Sequence, residues 1–249
     1  MQIAGEVETL LKHGFADGAM SRWRTLHEVV VVALFIAENE NEVARRYLDH
    51  LVIDSLRMAR MYSGAAPGLG YPPLADQDWQ HLQKNAADLI SKYGQAFSTD
   101  HDWAAGVLHY KKPTFSQIAE AVQFQKYKPY YKMASDNVPA GARGIFASLA
   151  LLSNVGDLLL SGPSNAGHEE AGRLTAYSLS QSAVTLMLIE PSLDAIVWAK
   201  VLQKLSGEIE EAFIRAKERL DSDERRLTWN SQGTTRKVKR KLVQRQRRV

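Results

Sequence analysis

The sequence predicts an all-α protein, a multi-helix bundle of about eight to ten helices with a basic C-terminal tail. Three observations carry that reading. Apolar residues recur at three- and four-residue spacing along most of the 249 positions. Eight prolines and few Val-x-Val alternations leave no confident strand. An apolar share of 45% against 24% charged residues is enough to bury a sizeable core. The organisation expected is a single helical domain over 1–221 and a tail over 222–249, flexible or partly helical.

Ile3 to Lys12 reads as a short helix closed by His13-Gly14, and Asp17 as the cap of a second helix running to about Glu38. Asn39-Glu40-Asn41 leads into a third, Val43 to Tyr62. The Gly- and Pro-rich SGAAPGLGYPPLAD reads as loop. A fourth helix spans about Gln77 to Tyr93, with an extra turn at Trp103 to Leu108. Thr114 caps Phe115 to about Gln125, and Pro129 sits well in the first turn of a helix to Asn137. Val138 to Gly141 interrupts, and Ile145 to Leu160 is apolar enough to be buried. After the turn from Gly162 to Gly167, His168 to Ile189 and Ser192 to Leu220 form two long closing helices.

Composition excludes several classes. The chain has no cysteine, hence no disulfide framework, thiolate metal site or Cys nucleophile. The start lacks a secretion-signal pattern, and the longest apolar run, Val29 to Ala37, is too short to cross a bilayer. A cytoplasmic protein without membrane contact or cofactor is expected. The net charge of +3 conceals an asymmetry: Arg225 to Val249 holds ten Lys or Arg and no acid, leaving 21 basic against 28 acidic side chains elsewhere. Arg236, Lys237, Lys239, Arg240, Lys241, Arg245, Arg247 and Arg248 are therefore candidates for RNA or DNA contact by counterion release. The bland alternative is a solvated end that docks on its own acidic body.

The most apolar stretch, SRWRTLHEVVVVALFIAENE, opens on a knot of charge. At 100° per residue, Arg24, His27 and Glu28 share an arc of about 100°, with Arg22 well away from His27. Val29 to Ile36 then cover every side, as in a central helix. Structurally, Arg24 and Glu28 at i,i+4 clamp the helix and His27 is a hydrogen-bonded histidine at the core edge. Chemically, Arg22 to His27 is an R-x4-H string. Its histidine has the right pKa range to move a proton at an RNA 2′-hydroxyl. A neighbouring arginine can neutralise charge on the phosphorane without a metal.

RWRTLHEVVVVALFI, ARRYLDHL, YKPYYKMASDNVPAGARGIF and LSGPSNAGHEEAGRLTAYSLSQ together resemble a bacterial all-helical family of unknown function, DUF5677, over about residues 10 to 190. The resemblance implies Arg24, His27 and Glu28 as characteristic positions. Tyr47, Tyr127, Tyr131, Ser135, Asn137, Gly141, Gly162, Ser164 and Asn165 follow. In the family pattern the Ser-x-x-Val step is followed by histidine, where this chain has Pro139, which implies that a site using that histidine is lost or silenced here. More distantly, the helical make-up and the R-x4-H string are similar to the HEPN ribonucleases, helical dimers that often serve as toxins or antiphage effectors. Their string comes late in the bundle, whereas here it is on the second helix.

That likeness implies a metal-independent endoribonuclease of a bacterial defence or stress system, or a decayed relative of one, acting as a homo-oligomer. His27 would be the general acid/base, Arg24 and Arg22 would meet phosphate charge, and Glu28 would orient one of them. Tyr131, Ser135, Asn137, Ser164 and Asn165 would line the substrate cleft. The alternatives are a non-catalytic interaction protein that binds through the tail, and a sensor holding an anionic ligand in the charged cleft. GPSNAGHEEAG lacks the Lys-Ser/Thr of a phosphate loop and reads as a turn with a helix start. Asp100, His101, Asp102 and His109 are metal-ligand types without ligand spacing and read as polar loop residues. Tyr127, Tyr130 and Tyr131 among Lys126, Lys128 and Lys132 suit either base stacking or a tyrosine-lined helix contact.

Overall fold

Helix α1 covers Gln2–Lys12, and the chain turns at His13-Gly14 into α2, Ala16–Ala37. Gly14 adopts φ +81°, and a Cβ there would come within 2.7 Å of Pro163 Cβ and 2.9 Å of the Ser164 backbone. Only glycine fits this turn, because Ser164 N–H donates to the Gly14 carbonyl at 3.0 Å. These coordinates are a computed structural model describing residues 1–39, 41–137 and 162–246, with side chains over 1–39, 41–135 and 162–226. Asp17 stands inside the first turn of α2 and not at its cap, since the helix already begins at Ala16; there it complements the helix dipole.

The buried positions of α2 are Ala16, Ala19, Met20, Trp23, Leu26, His27, Val30, Val31 and Phe35, a stripe at three- and four-residue spacing. The expectation of a helix buried on every side is corrected here: Val29 is 50% exposed. A run of four valines looks uniformly apolar in sequence, yet only the two on the stripe are sealed.

Helix α3 spans Asn41–Leu69. It runs seven residues past the expected end at Tyr62, through Pro67; the proline lacks the N–H that would reach Ser63 O, and the helix ends two residues beyond it. Buried Ala66 then accepts from Tyr71 N–H at 3.0 Å, and Tyr62 Oη donates to Pro72 O at 2.6 Å. Helix α4 is Asp76–Tyr93, stopped by Gly94 at φ +94°. Short 3₁₀ turns at Gln95–Ser98 and Asp102–Ala104 precede α5, Ala105–Leu108. Helix α6, Phe115–Ala121, starts with a capping box between Thr114 and Gln117. It ends four residues before the expected Gln125: Gln123 takes φ +60° and Phe124 N–H closes the turn on Ala119 O at 2.7 Å. Helix α7, Lys128–Asn137, carries Pro129 in its first turn. The interruption at Val138 to Gly141 and the helix expected over Ile145 to Leu160 lie outside the described residues.

Helix α8 is His168–Met187 and α9 is Leu193–Gln246. Nine α-helices and no strand therefore stand among the described residues, an all-α multi-helix protein as expected. The chain divides into two compact units, Met1–His27 with Tyr130–Val249, and Glu28–Pro129. In the first, α8 and α9 form an antiparallel hairpin. Gly172 lies directly under the Phe213 ring, so that a Cβ would collide with it. Arg173 bonds Glu210 at 2.7 and 3.1 Å and Glu169 at 2.8 Å.

Candidate functional site

Trp23 and His27 occupy successive turns of the buried stripe of α2, and Arg24 lies at its border. That local pattern decides their fates. Trp23 is sealed and donates its indole N–H to Ser178 Oγ on α8 at 3.1 Å. His27, 2% exposed, packs its ring 5.1 Å from Trp23 and 5.8 Å from Tyr131 of α7. Arg24, half-buried, donates Nη2–H to Tyr131 Oη at 3.3 Å and places its guanidinium 5.0 Å from that ring's centre. One turn on, Ser135 Oγ donates to Tyr131 O at 2.7 Å.

Two of the expected residues, Arg24 and His27, thus meet at the side chain of a third, Tyr131, and Ser135 bonds the Tyr131 main chain. Others do not. Arg22 bonds Glu6 of α1 through Nε, and this guanidinium pulls the Glu6 carboxyl below its usual range. It is a strut between α1 and α2, as its separation from His27 on the helical wheel implied. Ser164 serves the loop under Gly14, accepting from Ala166 N–H at 3.1 Å through Oγ, while Asn165 is exposed. Glu28, half-buried, is the first residue of the second unit. Tyr47 sets its ring 4.9 Å from Trp103, and Tyr127 sets its ring 5.4 Å from Phe124 under Lys126. The side chain of Asn137, Pro139, Gly141, Arg247 and Arg248 lie outside the described residues. So do the side chains of Arg236, Lys237, Lys239, Arg240, Lys241 and Arg245, although the α9 backbone passes through them to Gln246.

The second unit holds a polar cluster that the sequence reading passed over. Arg46, His50 and Arg57 recur along one side of α3 and reach for the segment Ser98 to Trp103. Arg46 donates to Asp102 O at 2.8 Å and Trp103 O at 3.0 Å, pairs with the Asp102 carboxylate at 3.6 Å, and stacks 4.6 Å over Tyr93. His50, 2% exposed, has Nε2 2.8 Å from Thr99 O and Nδ1 3.3 Å from Asp54. Arg57 bonds Ser98 O and reaches Asp54 at 3.1 Å and Asp100 at 2.7 Å. Burial pushes the Asp102 carboxyl up, against the pull of Arg46 and His50, and holds the His101 imidazole below its ordinary value. Asp100 and Asp102 are occupied by arginines, and no group of three or more ligating side chains that would hold a metal occurs among the described residues. The readable signal was the four-residue period of ARRYLDHL, which sets Arg46 and His50 one turn apart.

What can these arrangements do? The Arg24–Tyr131 pair offers a guanidinium fork and a phenol at a half-buried border, a fitting receptor for an anionic group. His27 behind it is screened from solvent, and a proton acceptor must reach its substrate to act. The α3 cluster spends its donors on main-chain carbonyls and therefore orders a loop. No helix among the described residues is long and apolar enough to cross a membrane.

No curated protein and no solved structure matches the chain. A family model does, over residues 1–154, which take in α1 to α7 and the Arg24, His27 and Tyr131 cluster but stop short of α8 and α9. The chain belongs to DUF5677, a family of unknown function.

Proposed function

We propose that this protein acts by binding and not by catalysis, as a helical body that brings a polycationic helix end to RNA or DNA. The observation that supports it is the segregation of charge: ten Lys or Arg and no acid from Arg225 onward, at the end of a helix whose chain is otherwise acidic. Like charge at that density releases counterions on meeting a phosphate backbone. The test keeps the chain whole. Arg236, Lys237, Lys239, Arg240 and Lys241 are changed together to Gln, and affinity for single-stranded RNA and duplex DNA is read by fluorescence anisotropy across a salt series. The expected result is a loss of at least about tenfold at low salt with a flatter salt slope. Unchanged affinity and slope overturn the reading.

A second reading is favoured by the meeting of Arg24 and His27 at the Tyr131 ring, with Ser135 bonded to the Tyr131 main chain one turn on. It is the HEPN-like, metal-independent endoribonuclease of a defence system, or a decayed form of one, with His27 moving the proton and Arg24 meeting phosphate charge. His27 is 2% exposed, so this reading requires that a substrate open the packing around it. Incubation with total RNA in EDTA decides it: cleavage that His27→Ala abolishes in a still-folded protein supports it, and an inert wild type removes it.

A further inference from the structure

Within the second unit, the C-terminal end of α3, the loop over 70–75 and the first turn of α4 surround a pocket of about 450 Å³. That volume lies in the range of small-molecule sites, roughly 300–1,000 Å³. Pro67, Tyr71, Leu74 and Trp79 give it apolar and aromatic walls, and Asp76 is the one charged side chain that lines it. The walls are built in advance. Tyr71 N–H donates to Ala66 O at 3.0 Å, and Tyr62 Oη donates to Pro72 O at 2.6 Å, so two successive loop residues are tied to α3. The Tyr71 ring also lies parallel to that of Tyr62, their planes 3° apart and their centres 6.5 Å apart. A ligand therefore meets a lining whose ordering is already complete.

We propose that this pocket binds a small organic ammonium ion, an amine carried on an apolar body. Charge selects that class. No basic side chain among the described residues pairs with Asp76. Asp76 stands in the first turn of α4, but a helix end offers only about half a unit of positive charge. Ala66 and Pro67, in the last turn of α3, add the negative end of a second helix, so the site stays negative. Pro67 also leaves the Ser63 carbonyl without its usual helical donor, and both residues line the pocket. The faces of Tyr71 and Trp79 attract a cation through their ring quadrupoles. A hard metal ion is a poor fit, since it takes about six oxygen ligands and this lining is mostly carbon. An anion would meet Asp76. The site is independent of any nucleic-acid or catalytic role.

Isothermal titration of the full-length protein with phenethylammonium chloride tests the site. Saturable one-to-one binding is expected at millimolar concentrations or below. Phenylethyl alcohol, the same skeleton without the charge, should bind at least about tenfold more weakly, and hydrocinnamate, with the charge reversed, not detectably. Asp76→Asn, a change at an exposed position, should weaken the ammonium at least about tenfold. Tyr71→Leu, also exposed, should weaken it roughly threefold or more. Asp78→Asn, on the same helix turn but outside the lining, should cost less than about twofold in physiological salt. No saturable binding of the ammonium overturns the proposal. So does equal binding of the alcohol, an Asp76→Asn or Tyr71→Leu protein that binds like wild type, or an Asp78→Asn loss as large as that of Asp76→Asn. Circular dichroism of every variant confirms that helix content is retained.

Discussion

Arg24 and Arg46 are the same side chain on two long helices, and they end in different kinds of company. Arg46 is largely buried, its side chain 14% exposed, and it delivers two N–H groups to the main-chain carbonyls of Asp102 and Trp103. Arg24 is half-buried and donates to a phenol. A carbonyl in a packed turn cannot move away, so the Arg46 bonds fix the loop and are unavailable for other use. A tyrosine hydroxyl can rotate and exchange one donor for another. The contrast separates a fixed clamp from a more exchangeable bond, although both read in sequence as arginines near a histidine.

The largest effect expected from that contrast is at Arg46. Arg46→Ala strands two carbonyls and a buried Asp102 carboxylate, so urea denaturation should show a loss of about 3–5 kcal/mol. Arg46→Lys should recover only part of it, since an ammonium cannot bridge two carbonyls as a planar fork does. A loss under about 1 kcal/mol would reduce the cluster to surface decoration. Next is Trp23→Phe, which keeps the packing but removes the indole N–H from Ser178 Oγ. Both residues are sealed, and about 1–3 kcal/mol should be lost in the same assay. Ser178→Ala on the Trp23→Phe background should then cost little more.

Much of this was legible in the sequence, for identifiable reasons. Periodicity alone located α1, α2, α4, α8 and the start of α9, and the Thr114 capping box was readable residue by residue. Local chemistry misled at Pro67 and Gln123. Pro67 costs α3 one backbone bond and the helix still continues two residues past it, and the left-handed turn at Gln123 has no glycine to announce it. Of the candidate site, Arg24 and His27 were legible because their spacing on one helix predicts a shared face, whereas Tyr131 and Ser135 were implied by the family resemblance alone. Arg46 was not, because its hydrogen bonds go to backbone carbonyls, and a carbonyl leaves no trace in a sequence. The burial of His27 was half legible: residues 23, 27 and 31 lie on one stripe, but the valines beyond them hid its edge.

Acid titration sharpens the comparison within the second unit. Burial pushes the Asp102 carboxyl above its ordinary 3.8, so the folded state still holds a proton that the unfolded chain has released. Its contribution to stability is complete below the unfolded value and is lost as pH rises through the raised folded one. Asp49 behaves oppositely. Burial pushes it up, but hydrogen bonds from Tyr93 Oη at 2.7 Å and Lys92 Nζ at 3.1 Å bring it below 3.8. That stability is present above the unfolded value and lost as pH falls through the depressed one. Urea midpoints followed from about pH 2 to pH 6 should therefore diverge from wild type in opposite senses for Asp102→Asn and Asp49→Asn. Parallel curves would mean that Asp102 is wetter than its surroundings imply.

The smallest expected effect bears most directly on function. Tyr131→Phe removes one hydroxyl, leaving the ring against His27 and beneath the Arg24 guanidinium. If the Arg24–Tyr131 bond is as exchangeable as its half-buried border implies, urea denaturation should register only about 0.5–1 kcal/mol. The same change should strengthen an anion at Arg24, because a competing acceptor is gone. Inorganic phosphate and sulfate titrated against thermal stability should therefore raise the melting temperature of Tyr131→Phe more than that of wild type. A stability loss comparable to that of Arg46→Ala, with no gain in anion response, would place Arg24 in the same class as Arg46 and leave the cluster a clamp.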